Sequence, residues 1–201
     1  MSGRRLAPQQ RRELIIDAAR TVIAGRGLAR TSLRDIAAAA EVSMGTVSYH
    51  FSGIDEILGA VVIRESEEFY GHVVAAADAE PDPWRSLGLL IDPMFADSPE
   101  VEAHWRIWTH FWAAVARRPG LADSYAARIR HWESCCARVI SRGVAQGAFR
   151  EVDPHGMALR LAAYSDGLAA QRAQGVTALT AGLAREWMHE FSRALLAGDP
   201  H

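Results

Sequence analysis

The chain has 201 residues, of which 49% are hydrophobic and 23% charged, and its formal net charge is −2. This is the balance of an ordinary globular protein with one domain, or with one small and one medium domain. No run of about 18 apolar residues is present to span a membrane, and the N-terminus does not resemble a secretory signal, so we expect a cytoplasmic protein. Cys135 and Cys136 are neighbours, and a disulfide between them would be strained, so both are expected to be reduced thiols.

The charge is unevenly distributed along the chain. Residues 1–52 hold eight arginines against four acidic residues, while the remainder has an excess of acidic residues. A basic head suits contact with DNA phosphates, and an acidic body limits non-specific coating of DNA. The arginines that open the chain either reach along the DNA backbone or minor groove or form only a solubilising tail; they are Arg4, Arg5, Arg11 and Arg12.

Apolar residues recur at three/four spacing along the chain with no sustained alternation, which predicts an all-α protein of about nine helices. The first helix is predicted over 8–26, with Gly25 and Gly27 ending it. Its inward face is predicted to consist of Leu14, Ala18, Thr21 and Val22.

The segment 31–51 predicts two short helices joined by a tight turn. Leu33, Ile36, Ala37 and Ala40 give the first of them an apolar face. Ser43 is suited to cap the second helix, in which Val47 and Phe51 face inward. Hydrogen-bonding side chains occupy its outward edge, namely Thr46, Ser48, Tyr49 and His50. A helix with one apolar face and one short polar edge is typical of a helix-turn-helix that reads the major groove.

This part of the chain, from about Arg11 to Leu58, resembles the DNA-binding domain of the tetracycline-repressor (TetR) family of transcriptional regulators. The matching residues are Ile16, Ala18, Ala19, Gly27, Thr31, Ile36, Ala37, Val42, Ser43, Gly45, Tyr49, His50 and Phe51. The resemblance implies a helix-turn-helix DNA-binding domain over 1–53 and a larger helical ligand-binding and dimerisation domain over 54–201. It also implies a repressor that binds a palindromic operator as a homodimer and is released by a small-molecule effector.

The resemblance assigns Tyr49 and His50 to backbone phosphates and the preceding turn of the helix to the groove. The full set of DNA-contacting residues that it implies is Thr31, Ser32, Arg34, Ser43, Met44, Gly45, Thr46, Ser48, Tyr49 and His50. The chain departs from the family at Ile54, where the family usually has a lysine that meets phosphate. We therefore expect weaker non-specific affinity, or compensation by the N-terminal arginines.

The rest of the chain predicts six further helices, at about 54–76, 84–96, 99–117, 119–146, 154–174 and 180–197. Pro93 is expected to interrupt the second of these, and Ser98, Asp153 and either Thr177 or Thr180 are expected N-caps. Segments 104–112, 143–149, 153–154 and 162–168 resemble the C-terminal domain of the choline-responsive (BetI-like) branch of the TetR family.

An aromatic cluster is predicted in this second part, formed by Trp105, Trp108, Phe111, Trp112, Trp132 and Tyr164. It has three interpretations: an ordinary helical core, a pocket for an aromatic or hydrophobic ligand, or a cage for an organic cation. A cage also needs an acidic residue, for which Asp166, Glu133 and Glu102 are available.

The last two helices are predicted to form a two-fold four-helix interface with a second copy. The residues of that face are Ala158, Leu161, Ala162, Ser165, Ala169, Leu183, Trp187 and Phe191. The alternative is that these faces pack within the chain.

No catalytic grouping, metal site or cofactor motif is recognisable, so an enzyme is not expected. The expected partners are operator DNA, a small-molecule effector and a second copy of the chain, with no membrane. Two alternatives remain: a ligand-sensing activator, and a helical ligand-binding protein without operator function.

Overall fold

The computed structural model describes residues 7–198, apart from three side chains between 124 and 128. Within these residues it has ten α-helices, two 3-10 helices and no strand, which confirms the all-α prediction. The α-helices are α1 (Pro8–Arg26), α2 (Leu33–Ala39), α3 (Met44–His50), α4 (Ile54–Ala79), α5 (Pro83–Ile91), α6 (Pro99–Val115), α7 (Gly120–Ile129), α8 (His131–Ala145), α9 (Pro154–Ala173) and α10 (Ala181–Leu196). The 3-10 helices are Leu28–Arg30 and Asp92–Phe95.

The count exceeds the predicted nine because the helix expected over 119–146 is two helices. The break falls at Arg130, where ψ is +16° instead of a helical value. Neither proline nor glycine stands near this position, so no local sequence signal accounts for the break.

The predicted helix caps are confirmed. Ser43 Oγ accepts a hydrogen bond of 3.1 Å from the Thr46 amide, and Asp153 accepts from the His155 and Gly156 amides. Ser98 caps α6 and Thr180, not Thr177, caps α10. Each cap satisfies amides that a helix leaves unpaired at its N-terminus, which is why these ends could be predicted from short spacings alone.

The described residues form two compact units. The N-terminal unit consists of the described residues up to Arg64 together with Arg106–Tyr125. The C-terminal unit consists of Glu65–Trp105 together with the described residues from Ala126 onward. Helices α4, α6 and α7 therefore each contribute residues to both units.

In the N-terminal unit, α1 packs against α2, and α2 packs against α3. The inward face predicted for α1 is wrong by about one residue, because Leu14 and Thr21 are exposed. The face that is buried consists of Ile15, Ile16, Ala19, Val22 and Ile23. The sequence has neighbouring apolar residues at both ends of this stripe, so the spacing fits two adjacent faces of the helix equally well. The packing of α1 on α2 decides which of these faces is buried.

In the C-terminal unit, α8 packs against α5 and α9, and α10 packs against α9 and α5. The Arg142 guanidinium of α8 joins three segments of this unit. It donates hydrogen bonds to the Ala77 and Glu80 carbonyls at the end of α4, at 3.0 and 3.1 Å, and to Ser86 Oγ of α5 at 2.7 Å. Carbonyls at the C-terminal end of a helix have no partner within the helix, so this arginine caps α4.

Candidate DNA interface and effector-binding residues

Helix α3 has one buried and one bare face. Val47 is fully buried and Phe51, directly after the helix, is 3% exposed, so both residues belong to the core of the N-terminal unit. On the other face Tyr49 is 80% exposed. The other exposed residues of this edge are Ser43, Met44, Gly45 and Ser48, while Thr46 and His50 are half-buried. The structure therefore brings the predicted groove-facing residues together on one surface.

Gly45 lies in this surface without being needed by the fold. A Cβ added at Gly45 would meet only Ser43 Oγ, at 3.7 Å, which is ordinary contact. Glycine is less favourable in a helix than alanine, and contacts within the chain give no reason for a glycine here. A surface that approaches another backbone closely is one place where glycine is required.

The start of α2 is less suited to DNA than the sequence indicated. Thr31 is 9% exposed, and its hydroxyl donates to the Gly27 carbonyl at 2.8 Å, so the side chain is turned inward. Ser32 and Asp35 cap each other, and Asp35 also pairs with Arg26 at 3.0 Å. The hydrogen bonds from Ser32 hold the pKa of Asp35 below its usual value, so a negative charge occupies this helix end. Arg34 is exposed.

The first turn of α4 also lacks a positive charge. Ile54, where the resemblance led us to expect lysine, is followed by Asp55 and Glu56. Glu56 accepts hydrogen bonds from the Ser52 amide and hydroxyl, at 2.8 and 2.7 Å, and these hydrogen bonds lower its pKa. Asp55 forms an ion pair with Arg118.

An open recess of about 560 Å³ adjoins α3. Residues of α1, of the turn before α3 and of α3 itself line it: Pro8, Arg11, Ser43, Gly45, Thr46, Tyr49 and His50. Arg11 was one of four N-terminal arginines that the sequence offered for DNA contact. Arg4 and Arg5 lie outside the described residues.

The six predicted ligand-binding aromatic residues divide between the two units. Trp108, Phe111 and Trp112 lie in the N-terminal unit, where the Trp108 ring is 5.7 Å from Phe111 and 6.1 Å from Trp112. The other three lie in the C-terminal unit; they are Trp105, Trp132 and Tyr164.

Within the C-terminal unit, the two tryptophans have the surroundings of core residues. Each is 5% exposed, and their indole N–H groups donate to the backbone, Trp105 to Met94 O at 2.8 Å and Trp132 to Leu90 O at 3.1 Å. Tyr164 is half-buried, and its ring lies 4.3 Å from that of Phe191. These contacts favour the core interpretation for the two tryptophans and leave Tyr164 with accessible surface.

A buried polar cluster in the C-terminal unit was not predicted. Nδ1 of His104 donates to the Glu65 carboxylate at 3.0 Å, and Nε2 lies 3.3 Å from the Tyr70 hydroxyl. The Phe69 ring stacks on the imidazole at 4.1 Å. Glu65 and His104 are at most 3% exposed, and charges are buried so deeply only when they are paired. No sequence signal links residues that stand 39 positions apart on different helices.

Two further carboxylates lie in this unit. Desolvation and repulsion from Glu133 raise the pKa of Asp166 to about 6, although Asp166 is exposed at the surface of the chain. Asp166 in turn contributes, after burial itself, to a raised pKa of Tyr70. Asp166, Glu133 and Tyr70 therefore share one electrostatic environment.

The predicted dimer face is partly enclosed by its own chain. Ala158, Leu161, Ser165 and Ala169 are fully buried, so they pack within the C-terminal unit. The members with accessible surface are Ala162, Leu183, Trp187 and Phe191, of which Trp187 is 40% exposed. Leu159 of α9, which the sequence did not single out, is 51% exposed.

Cys135 and Cys136 are buried and form no disulfide, and burial raises the pKa of both thiols. Within residues 7–198, no group of three His, Cys, Asp or Glu residues could hold a metal ion. None of the described helices combines the length and hydropathy of a membrane-spanning segment.

Comparison with known families assigns the chain. Residues 15–61 match the family model described as "Bacterial regulatory proteins, tetR family", and residues 83–197 match the one described as "BetI-type transcriptional repressor, C-terminal". The chain belongs to the TetR family. This TetR-family protein is therefore a ligand-responsive transcriptional regulator that binds DNA, and not an enzyme.

Relatives of this TetR-family regulator share part or most of its length. It is 35% identical to the HTH-type transcriptional regulator BetI of Stenotrophomonas maltophilia over 115 residues. This aligned region covers 56% of this chain and 58% of that protein. It is 29% identical to BetI 2 of Chromohalobacter salexigens, over 92% of this chain and 88% of that protein.

Solved structures of similar fold include a transcriptional regulator from Saccharomonospora viridis in complex with choline. This structure has a TM-score of 0.82 and 26% identity, and the match covers 94% of this TetR-family chain and 98% of that one. The multidrug binding protein EbrR complexed with imidazole has a TM-score of 0.64 and 28% identity, with 90% and 94% of the two chains covered.

Proposed function

We propose that residues 1–53 bind a palindromic operator and that residues 54–201 bind the effector and a second copy of the chain. In this proposal the homodimer represses transcription until the effector releases it, in the cytoplasm, where the chromosome lies. The observation that carries the DNA half is the bare edge of α3. Tyr49 is 80% exposed while Val47 of the same helix is fully buried. A docked helix with an exposed hydrogen-bonding edge suits the major groove.

The test is selection of an operator from a pool of random duplexes by the wild-type protein. We expect a palindromic sequence to be enriched, because a two-fold protein contacts two equivalent half-sites. A reporter gene placed behind the selected sequence then distinguishes repression from activation. No enrichment of any sequence would instead favour a ligand-binding protein without operator function.

The proposed dimer uses the accessible residues of α9 and α10. Leu159 and Trp187 are exposed apolar residues, and Ala162, Leu183 and Phe191 are half-buried. Aromatic side chains are enriched at protein interfaces relative to the rest of the surface, and Trp187 is one of them. Ala158, Leu161, Ser165 and Ala169 then support this surface from within the chain.

Replacement of Trp187 by Glu tests the dimer. Light scattering at micromolar concentration should give a dimer for the wild type and a monomer for the variant, with weaker operator binding because only one half-site is contacted at a time. The matched control is Leu89→Glu on α5, a residue 39% exposed that lies outside the proposed face. A monomeric wild type would contradict the proposal.

We infer that the effector is a small organic cation. The C-terminal unit holds the carboxylates of Asp166 and Glu133, whose repulsion contributes to the raised pKa of Asp166. A bound cation would relieve this repulsion, and Tyr164, which is half-buried, is an aromatic residue of the same unit that a cation could contact. The S. viridis regulator in complex with choline supports the same class of ligand for this chain.

Choline is the first probe for this inference, and its uncharged carbon analogue 3,3-dimethyl-1-butanol is the control. Calorimetric titration should show binding of choline and not of the alcohol, and choline should release the protein from the selected operator. Equal binding of the two compounds would indicate a hydrophobic pocket. Binding of neither would return the effector class to an open question while leaving the operator proposal intact.

A further inference from the structure

Two adjacent arginines of α1 have different surroundings. The guanidinium carbon of Arg12 lies 4.7 Å from the centroid of the Phe51 ring, and the charge of Arg12 helps to lower the pKa of Glu56. Arg12 therefore holds α1 to the end of α3 and the start of α4 through a cation–π contact and a nearby carboxylate. Its role is within the fold of the N-terminal unit.

Arg11 instead lines the recess beside α3, together with Tyr49, His50 and Gly45. Its Nε is shielded from solvent, and no hydrogen-bond partner for it exists among the described residues. The Arg11 side chain is half-buried. A guanidinium nitrogen without a partner is costly, and an anion with two oxygens suits the planar fork of arginine.

The acidic residues nearest to Arg11 in sequence are already paired. Glu13 and Asp17 of α1 both form ion pairs with Arg64, the latter at 2.9 Å. Both carboxylates therefore have a cationic partner other than Arg11.

Two other helix starts in this unit, those of α2 and α4, carry acidic side chains. Asp35 caps the start of α2, and Glu56 folds back over Ser52 at the start of α4. Ile54 supplies no charge there. These two helix starts supply no positive charge to a phosphate, whereas Arg11 lines one recess with the bare edge of α3.

We propose that Arg11 is the phosphate anchor of the recognition helix. Its guanidinium binds a backbone phosphate of duplex DNA in the recess beside Tyr49 and His50, and this contact sets the position of α3 in the groove. A contact to the backbone fixes register without reading sequence, so its energy is shared by specific and non-specific DNA. The inference rests on the proposed operator function and deepens it.

The test compares Arg11→Gln with Arg12→Gln. Dissociation constants for the selected operator and for a scrambled duplex are measured by fluorescence anisotropy from about 50 to 300 mM salt. For Arg11→Gln, affinity for both duplexes should fall by about tenfold at 100 mM salt. The slope of log affinity against log salt should decrease by about 0.9 for each phosphate that the protein no longer neutralises. Arg11→Lys should retain most of the slope, since binding to a phosphate needs the charge.

Arg12→Gln should lower the melting temperature and leave the salt slope unchanged, provided that binding is measured well below that temperature. Circular dichroism melts of all variants show whether each is folded. An unchanged slope and affinity in Arg11→Gln, while Tyr49→Ala loses operator binding, would overturn the anchor and leave the operator function standing. A wild type that selects no sequence would overturn both. An equal decrease of the salt slope in Arg11→Gln and Arg12→Gln would also overturn the proposal for Arg11, because a general effect of lost charge would explain the result.

Discussion

Tyr49 on α3 and Trp105 in the C-terminal unit are both aromatic rings with one polar atom, yet they are used in opposite ways. Tyr49 is 80% exposed, whereas Trp105 is 5% exposed and donates its N–H to the Met94 carbonyl. The sequence offered both as binding residues. The comparison teaches that the partner of the polar atom distinguishes a core aromatic from a contact aromatic, because a buried donor must be paired and an exposed one need not be.

The largest expected effect tests the core side of this comparison. Trp132→Ala should lower the free energy of unfolding by about 3–5 kcal/mol, since it leaves a large cavity and the Leu90 carbonyl unpaired. Trp132→Phe, which keeps most of the ring, should cost much less. Urea unfolding measures both. If Trp132→Ala kept normal stability but no longer responded to choline, Trp132 would be a ligand contact. The assignment of this buried tryptophan to the core would then be wrong.

The second effect concerns the turn that supports the DNA-binding side. Gly27 has φ +79° and ψ 154°, a region nearly closed to other residues, and a Cβ there would lie 3.0 Å from the His110 ring. Gly27→Ala should therefore destabilise the protein by about 1–3 kcal/mol. Gly25→Ala is the control, because a Cβ at Gly25 meets nothing within 4 Å. Thermal melts with equal losses in both variants would contradict the argument.

The third effect lies on the exposed edge of α3. Gly45→Ala should weaken operator binding by more than about tenfold, or about 1.4 kcal/mol, while stability stays the same or rises slightly. The added methyl group has room in the free protein, so any loss of affinity reflects the approach of DNA. Tyr49→Ala should behave likewise. Anisotropy and urea unfolding of the same samples separate the two quantities, and unchanged affinity would remove α3 from the interface.

The smallest expected effect is on the pH dependence of stability, and it tests a carboxylate of the C-terminal unit, Asp166. The pKa of Asp166 is raised from 3.8 to about 6, so the folded chain holds a proton that the unfolded chain has released between these values. The contribution of Asp166 therefore becomes unfavourable as pH rises from about 4 to about 6.

Asp166→Asn should thus be more stable than the wild type at pH 7, by about 1 kcal/mol or less because water reaches the side chain. The difference should vanish near pH 4. Melting temperatures at the two pH values measure it, and a difference that does not change with pH would contradict the raised pKa. If the effector is a cation, the same variant should also lose choline affinity.

Prediction from the sequence succeeded where the responsible contacts are local. Ser43, Asp153 and Thr180 cap helices through amides two or three residues away, so the chain carries the signal in a short window. Prediction failed where the phase of a helix was ambiguous. Leu14 and Ile15 are equally apolar, and only the packing of α1 on α2 buries one and exposes the other.

The α9 stripe shows the same limit in another form. Small residues at three/four spacing fit a dimer interface and an internal contact equally well. Ala158, Ser165 and Ala169 are fully buried because α9 packs on α8 and α10, and the accessible apolar side chains are Leu159 and Trp187 instead. The spacing indicated that a close helix contact exists, and the fold decided which helix makes it.

By itself the sequence determined the all-α class, the helix-turn-helix and which residues form the outward edge of α3, because these depend on periodicity, caps and the short distance between α2 and α3. Only the tertiary structure turned Thr31 inward, separated the structural Arg12 from Arg11 in the recess, and paired Glu65 with His104 across 39 positions. Burial and charge pairing depend on which distant helices meet, and a linear pattern carries no record of that choice.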